Sequence, residues 1–248
     1  MKIVTFNIRC VYEYDGINSF PHRAGMILDK IAEAQPDIIC FQEATAQNMG
    51  VLRKALSPDY TVILNGRDAD LSGEGLAVAY RPDTCSLHGL EVFWLSPTPC
   101  IAASRFPGQS QYPRICQKLL FKNEKSGTIF QLYNLHLEEL SEEVRLQQMK
   151  LVLGQRMPKN IPVFLLGDLN TQPDGMVYAF CKEQGLTDVT EHILGSFHDY
   201  GRINPIKIDY IWTDSNAVKT VKNVSVWEEC TDGIYLSDHY PIEMICQL

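Results

Sequence analysis

Positive charge is in short supply in this chain: 22 Lys and Arg stand against 30 Asp and Glu, a formal net charge of -8 over 248 residues. No global positive field exists to hold nucleic acid without a specific site, although a local basic patch can sit inside a negative total. Long apolar runs are missing as well. No stretch approaches the roughly 18 apolar residues that a membrane-spanning helix needs. The opening Met1-Lys2-Ile3-Val4-Thr5-Phe6-Asn7 meets an asparagine too soon for the apolar core of a secretory leader. A cytoplasmic protein is the expectation. Low-complexity tracts, heptads and short-period repeats are also absent, and no linker divides the sequence, so one domain over 1–248 is expected.

The eight cysteines form no CxxC or CxxxH clamp, and the nearest two, Cys85 and Cys100, are 15 positions apart. Several lie in apolar runs such as Ile38-Ile39-Cys40-Phe41 and Met244-Ile245-Cys246, where a free thiol behaves as a small core residue. Buried free thiols are therefore expected, in place of disulfides or a structural zinc site.

What is present is an ordinary globular mixture, 45% hydrophobic and 10% aromatic. Ile3 to Ile8 reads as a buried strand. His22 to Ala34 carries Ala24, Ile27, Leu28 and Ile31 at helical spacing before Pro36 stops it. Asp37 to Glu43 is again apolar, and Thr45 is placed to cap a helix reaching Leu56. From Tyr60 to Phe130 the pattern turns to short strands at 60–64, 75–80, 86–95, 115–121 and 128–133. Ser141 opens a helix with Leu146, Met149, Leu153 and Met157 on one face, closed by Pro158. A strand over 162–168, a helix over 174–183 and strands over 208–213, 219–227 and 240–246 follow. Continuous apolar strands imply burial on both faces, so helices must cover two sheets: an α/β sandwich of stacked layers. Ser96 to Arg114 and Thr190 to Pro205 read as long surface loops, the usual place for a binding rim.

The chemistry lies in where acids and amides fall. Four apolar strands end in a polar ligand type: Phe6-Asn7, Phe41-Gln42-Glu43, Leu166-Gly167-Asp168-Leu169-Asn170 and Ile208-Asp209. A fifth segment, Leu236-Ser237-Asp238-His239-Tyr240, opens a strand. If these strands are neighbours, their polar ends converge at one edge, where open α/β sheets place their sites.

In their order, Thr5-Phe6-Asn7-Ile8, Phe41-Gln42-Glu43, Asn134-Leu135-His136-Leu137, Gly167-Asp168-Leu169-Asn170, Ile208-Asp209-Tyr210-Ile211 and Ser237-Asp238-His239-Tyr240-Pro241 resemble the endonuclease/exonuclease/phosphatase superfamily, the DNase I-like fold. The resemblance covers Lys2 to Ile245. Trp94-Leu95-Ser96-Pro97-Thr98-Pro99 and Pro113-Arg114-Ile115-Cys116 look most like its bacterial branch of mostly uncharacterised hydrolases. It implies a four-layered α/β sandwich, two packed mixed β-sheets flanked by helices, and a magnesium-dependent phosphoesterase.

The residue types agree with what is implied. Mg²⁺, with Mn²⁺ as a substitute, takes oxygen ligands and keeps several waters, which suits Glu43 and Asp238 steered by the Asn7 amide. His239 is the natural general base for a water, and Asp209 would fix its tautomer. By resemblance, Asp168 and Asn170 hold the nucleophile and the phosphoryl oxygen. His136 would hydrogen-bond the phosphate from the other side, and Arg114 is a candidate phosphate clamp. By the same resemblance, Glu74 is an acid within reach of His136 that would keep it cationic, and His198 belongs to an aromatic-His pair near the site. His22 and His88 read as structural.

Departures from the family pattern are Leu135, Glu138 and Leu169, none of which removes a proposed catalytic group. The segments after Asn170 and before Asp209 differ from the inositol-phosphatase branch. The expected substrate is a phosphoester, carried by a small molecule or a nucleic acid. The alternative is a catalytically inactive module of the same fold that binds a phosphorylated ligand or a protein, and a complete set of site residues speaks against it.

Overall fold

A computed structural model of the chain describes residues 1–156 and 160–248. Strand and helix alternate at first: β1 (Lys2–Asn7), α1 (Phe20–Ala34), β2 (Ile38–Ala44) and α2 (Ala46–Leu56). Five strands follow, β3 (Thr61–Gly66), β4 (Gly75–Tyr80), β5 (Cys85–Trp94), β6 (Ile115–Asn123) and β7 (Ile129–His136). The chain then runs through α3 (Glu142–Gly154), β8 (Val163–Asp168), α4 (Met176–Glu183), β9 (Thr187–Asp188), β10 (Asp209–Thr213) and β11 (Val221–Val226). A short hairpin of β12 (Cys230–Thr231) and β13 (Ile234–Tyr235) precedes β14 (Ile242–Cys246).

Local signals account for the helix ends. Thr45 caps α2, its side chain accepting from the Asn48 N–H while the Asn48 side chain accepts from Thr45 N–H. Gln35, in the left-handed region at φ 46°, ends α1 one residue before Pro36. Ser141 caps α3 as the sequence indicates. Met157 and Pro158, expected to finish that helix, lie outside the described residues.

Among the described residues the strands form two six-stranded mixed sheets, in the orders β11-β14-β1-β2-β4-β3 and β5-β6-β7-β8-β10-β9. In each sheet one central pair, β1 with β2 and β7 with β8, is parallel and the other pairs are antiparallel. Alternate side chains divide the core. Ile3, Ile38, Cys40 and Val78 meet Leu119, Phe121, Phe130, Leu132, Phe164 and Leu166 between the sheets. Val4, Phe6, Ile39 and Phe41 face Ile27, Ile31 and Leu52 of α1 and α2, while Tyr133, Leu165 and Trp212 face Met149, Val152 and Val177 of α3 and α4. The result is the four-layered sandwich that the apolar strands require.

A polar strut crosses the inter-sheet core. Asn134 donates to Phe41 O, Ala77 O and Gln117 Oε1 and accepts from Gln42 Nε2 at 2.8 Å. The amides of the FQE and NxHL motifs thus tie the sheets together beneath the site, fully satisfied, which is what burying them demands. All eight thiols are free. Five are buried as expected. Cys10 is half-buried and Cys100 and Cys230 are exposed, because they sit in an irregular segment, a turn and the short hairpin outside the layers.

Candidate active site

Strand register does most of the assembly. β7, β8 and β10 are neighbours, and their pairing sets His136 beside Asp168 and Asp168 beside Asp209. In the other sheet Asn7 pairs with Gln42, and a bulge between Phe41 and Ala44 puts Glu43 in the left-handed region at φ 53°. Such a bulge re-aims one side chain without ending the strand. Asn170 turns the chain back at φ 49°. Gly167 has φ 139°, and a Cβ there would lie 2.0 Å from Leu135 O, so only glycine lets β8 reach the site beside β7.

Hydrogen bonds lock the converging ends. Asn7 Nδ2 donates to Glu43 Oε1 at 3.1 Å and to Asp168 Oδ2 at 3.0 Å, and its Oδ1 accepts from Arg9 N–H. Asn7 thus struts the two sheets, its Oδ1 keeping a second lone pair beyond the one taken by Arg9 N–H. His239 Nδ1 lies 2.7 Å from Asp209 Oδ2, and His239 Nε2 lies 3.9 Å from Asp168 Oδ2. Asp168 Oδ1 accepts from Asn170 N–H at 2.9 Å. Two serines complete the frame. Ser196 Oγ accepts from the N–H groups of Ile208 and Asp209, and Ser237 Oγ lies 2.7 Å from Asn7 O and 3.0 Å from Asp238 Oδ1.

Burial polarises this cluster. Desolvation disfavours the His239 imidazolium, but the Asp209 charge and hydrogen bond, with Asp238 and Asp168 behind them, outweigh it and raise His239 to about 10. Burial and the neighbouring Asp209 push Asp168 up to about 7. Burial also lifts Asp238. It works the same way on Glu43, yet Arg9, the Cys10 N–H and His239 hold Glu43 below the ordinary carboxylate range.

Eight of the residues singled out in the sequence line one cleft of about 580 Å³: Glu43, Glu74, Arg114, His136, Asp168, Asn170, Asp238 and His239. Asp209 and Asn7 stand directly behind them. Arg114 is 3% exposed, its Nε has no partner, and its guanidinium makes no hydrogen bond or ion pair with any described residue. This buried cation feels the charges of Glu139, Asp168 and Glu138 but contacts none of them, so its guanidinium donors are unengaged at the cleft wall.

Three expectations are corrected. Glu74 is bonded to Arg67, 2.8 Å away, in place of His136. Burial, then Arg114 and Arg67, drives His136 well below the ordinary histidine value, so it is neutral and its nearest acid is Asp168 at 3.5 Å. His198 is turned away from the cleft: it is fully buried, stacks on Tyr240 at 3.9 Å and accepts from Gly201 N–H. Its neighbour Phe197 faces the cleft, against the His239 ring at 4.9 Å. The Thr190–Pro205 loop is correspondingly less a rim than a brace, since the N–H groups of His198 and Asp199 both reach Asp238 O.

Sequence reasoning missed Arg9, Arg67, Tyr112 and Arg145, all lining the cleft. Arg67 stacks on Tyr112 at 4.7 Å. Arg9 faces two acids at once, Glu43 at 3.9 Å and Asp238 at 3.7 Å. A lone arginine two positions beyond a strand-end asparagine was the available signal.

The donor chemistry fits a hard divalent cation. Glu43 and Asp238 offer carboxylate oxygens close enough to share one guanidinium, at the wall of an open cleft. Cys10 Sγ lies within 4.8 Å of ligand oxygens of Glu43 and Glu74, but burial holds that thiol far above its ordinary value, so it offers no thiolate. The other close cluster, Asp168, Asp209 and His239, has its Asp209 and His239 atoms engaged with each other.

Residues 4–239 match the model of the Endonuclease/Exonuclease/phosphatase family. The endonuclease/exonuclease/phosphatase from Bacteroides vulgatus superposes with a TM-score of 0.89 at 26% identity, over 99% of this chain and 98% of that one. A mannosyl-6-phosphatase of Bacteroides thetaiotaomicron gives 0.85 at 26% identity over the whole of both chains. D. rerio TDP2, complexed with a single-strand DNA product, shares the fold, with a TM-score of 0.75 at 20% identity over 98% and 97% of the two chains.

Proposed function

The chain belongs to the endonuclease/exonuclease/phosphatase family, and on that premise we propose that it hydrolyses a small-molecule phosphoester by in-line attack of a water deprotonated by His239. The observation that carries the reading is the convergence of an acid–base pair, a carboxylate pair and an unpartnered buried arginine on one cleft.

Glu43 and Asp238 would hold the divalent cation, Mg²⁺ or in its place Mn²⁺. When bound, the cation offsets the charge that grows on the phosphoryl oxygens. Arg114 takes a non-bridging oxygen with its planar fork. Neutral His136 donates a hydrogen bond to the same group. Asp168, held by Asn7 and Asn170, orients the water. In its deprotonated form, which gains population as pH rises toward about 10, His239 accepts the water's proton on Nε2, and Asp209 at Nδ1 fixes the tautomer and stabilises the imidazolium that forms.

The cleft favours a small substrate over a polynucleotide. Exposed Glu139 and Asp174 stand at its lip and repel a second phosphate, and the chain carries -8 overall. Carboxylates and amides at the lip accept hydrogen bonds from hydroxyls, and the mannosyl-6-phosphatase among the structural neighbours supports a phosphorylated sugar or similar polyol. A panel of sugar phosphates, nucleotides and single- and double-stranded DNA, assayed with and without Mg²⁺, tests the reading. Turnover of a small phosphoester faster than DNA is expected. Rapid nicking of plasmid DNA at physiological salt would overturn the substrate class.

A further inference from the structure

Among the described residues Arg9 is the arginine or lysine that comes within ion-pair distance of both acids of the carboxylate pair, with the His239 charge acting on the same two acids from the other side of the site, and the fold takes trouble to put it there. Its backbone is left-handed at φ 59°, an arrangement a bulky residue adopts only when its surroundings impose it. The neighbouring main chain explains why: Arg9 N–H donates to Asn7 Oδ1 and Cys10 N–H donates to Glu43 Oε2, so the turn wraps around Glu43. The guanidinium is then anchored from behind. Nε and Nη2 donate to Asp15 at 3.2 and 3.3 Å, Asp15 also accepts from Tyr200 Oη at 3.1 Å, and the Tyr12 ring lies 5.4 Å from the guanidinium carbon. Asp15 is buried, so this anchor is not a floating surface pair.

The two faces of the guanidinium are therefore unequal. Toward Asp15 the contacts are hydrogen bonds, whereas toward Glu43 and Asp238 they are long ionic approaches of 3.9 and 3.7 Å. Such contacts neutralise the acids while leaving their lone pairs open to another partner. We propose that Arg9 is a positioning residue that serves as the resident counter-cation of Glu43 and Asp238, competing electrostatically with the divalent cation and thereby setting its affinity. The inference rests on the assignment of these two acids as the cation-holding pair. Asp15 limits the competition by tethering the guanidinium, so the two residues act in opposite directions.

The test is direct binding of Mn²⁺ to the full chain without substrate, followed by the electron paramagnetic resonance of the free ion at neutral pH. Removing a unit charge beside the pair is expected to tighten Mn²⁺ binding of Arg9→Gln by about tenfold. Asp15→Asn, which releases the guanidinium onto the acids, is expected to weaken it, and that loss should disappear in the Arg9→Gln/Asp15→Asn double variant. Melting in chelator keeps the comparison to folded protein, and Arg9→Gln should melt lower than the wild type there, with a larger upward shift on adding Mn²⁺. Arg9→Gln binding Mn²⁺ no more tightly than the wild type, or Asp15→Asn weakening it equally with and without Arg9, overturns the role of Arg9. Absence of Mn²⁺ binding by the wild-type chain overturns both this role and the cation reading beneath it.

Discussion

His239 Nδ1 and Asp209 Oδ2 stand 2.7 Å apart on segments 30 residues distant, both buried, with Ser196 Oγ pinning the Asp209 backbone. This pair orients the imidazole and raises its proton affinity. Replacing His239 by Ala is expected to lower kcat by roughly 10²–10⁴ with a smaller change in KM. Asp209→Asn acts through the same step, so the double substitution should lose much less than the sum of the two in free energy. Additive losses in a steady-state cycle would show that the two residues work separately.

The same pair predicts a pH signature. His239 is raised in the folded chain to about 10 from an ordinary 6.5, so its contribution to stability is fully present below pH 6.5 and is lost as pH climbs through about 10. The melting temperature of Asp209→Asn should thus fall furthest below the wild type between pH 5 and 7, and the gap should close toward pH 10. The pH–rate profile should shift as well, the alkaline rise moving to lower pH in Asp209→Asn. A gap in melting temperature that widens with pH would contradict the coupling.

As the proposed anion clamp, Arg114 trades stability for binding. Arg114→Gln should reduce kcat/KM by about 10–100-fold, the loss of a charge-assisted hydrogen bond to a phosphoryl oxygen. Arg114→Met removes a buried cation that has no partner in the free chain, so it should melt at or above the wild type while losing activity. A large drop in melting temperature would mean that Arg114 holds the fold.

Gly167→Ala forces a Cβ to within 2.0 Å of Leu135 O and requires φ 139° of a residue that resists it. We expect a loss of more than about 3 kcal/mol in urea titration, read as a lower midpoint. His198→Phe separates structure from function in the opposite way. It removes the side-chain acceptor of Gly201 N–H, which keeps the residue-198 carbonyl at 2.9 Å, and should cost about 0.5–1.5 kcal/mol, with little change in kcat/KM of the folded fraction.

Most of the strands and the polar ends that converge were legible because each depends on local pattern. Apolar runs such as Val163 to Leu166 can only be interior strands, and a polar residue at the end of each must lie at a sheet edge. Partner choice was not legible. Glu74 could reach either His136 or Arg67, and only the path of the loop after β3 decides for Arg67. His198 and Phe197 are adjacent, and the bridges of Phe197 to Ile206 and to His239, distant in sequence, set its ring against His239 while the imidazole stacks on Tyr240. Arg9 stayed hidden because its reach depends on a left-handed residue and on Asp15 behind it, neither of which has a periodic signature.

The most direct measurement is the rate of phosphate release from the best small phosphoester, for wild type and His239→Ala, in Mg²⁺ and in excess EDTA. Turnover by the wild type in Mg²⁺ alone, lost in EDTA and lowered at least about 10²-fold in His239→Ala, is the expected result. Full turnover in EDTA, or a His239→Ala rate equal to that of the wild type, would contradict a cation-assisted, His239-activated water.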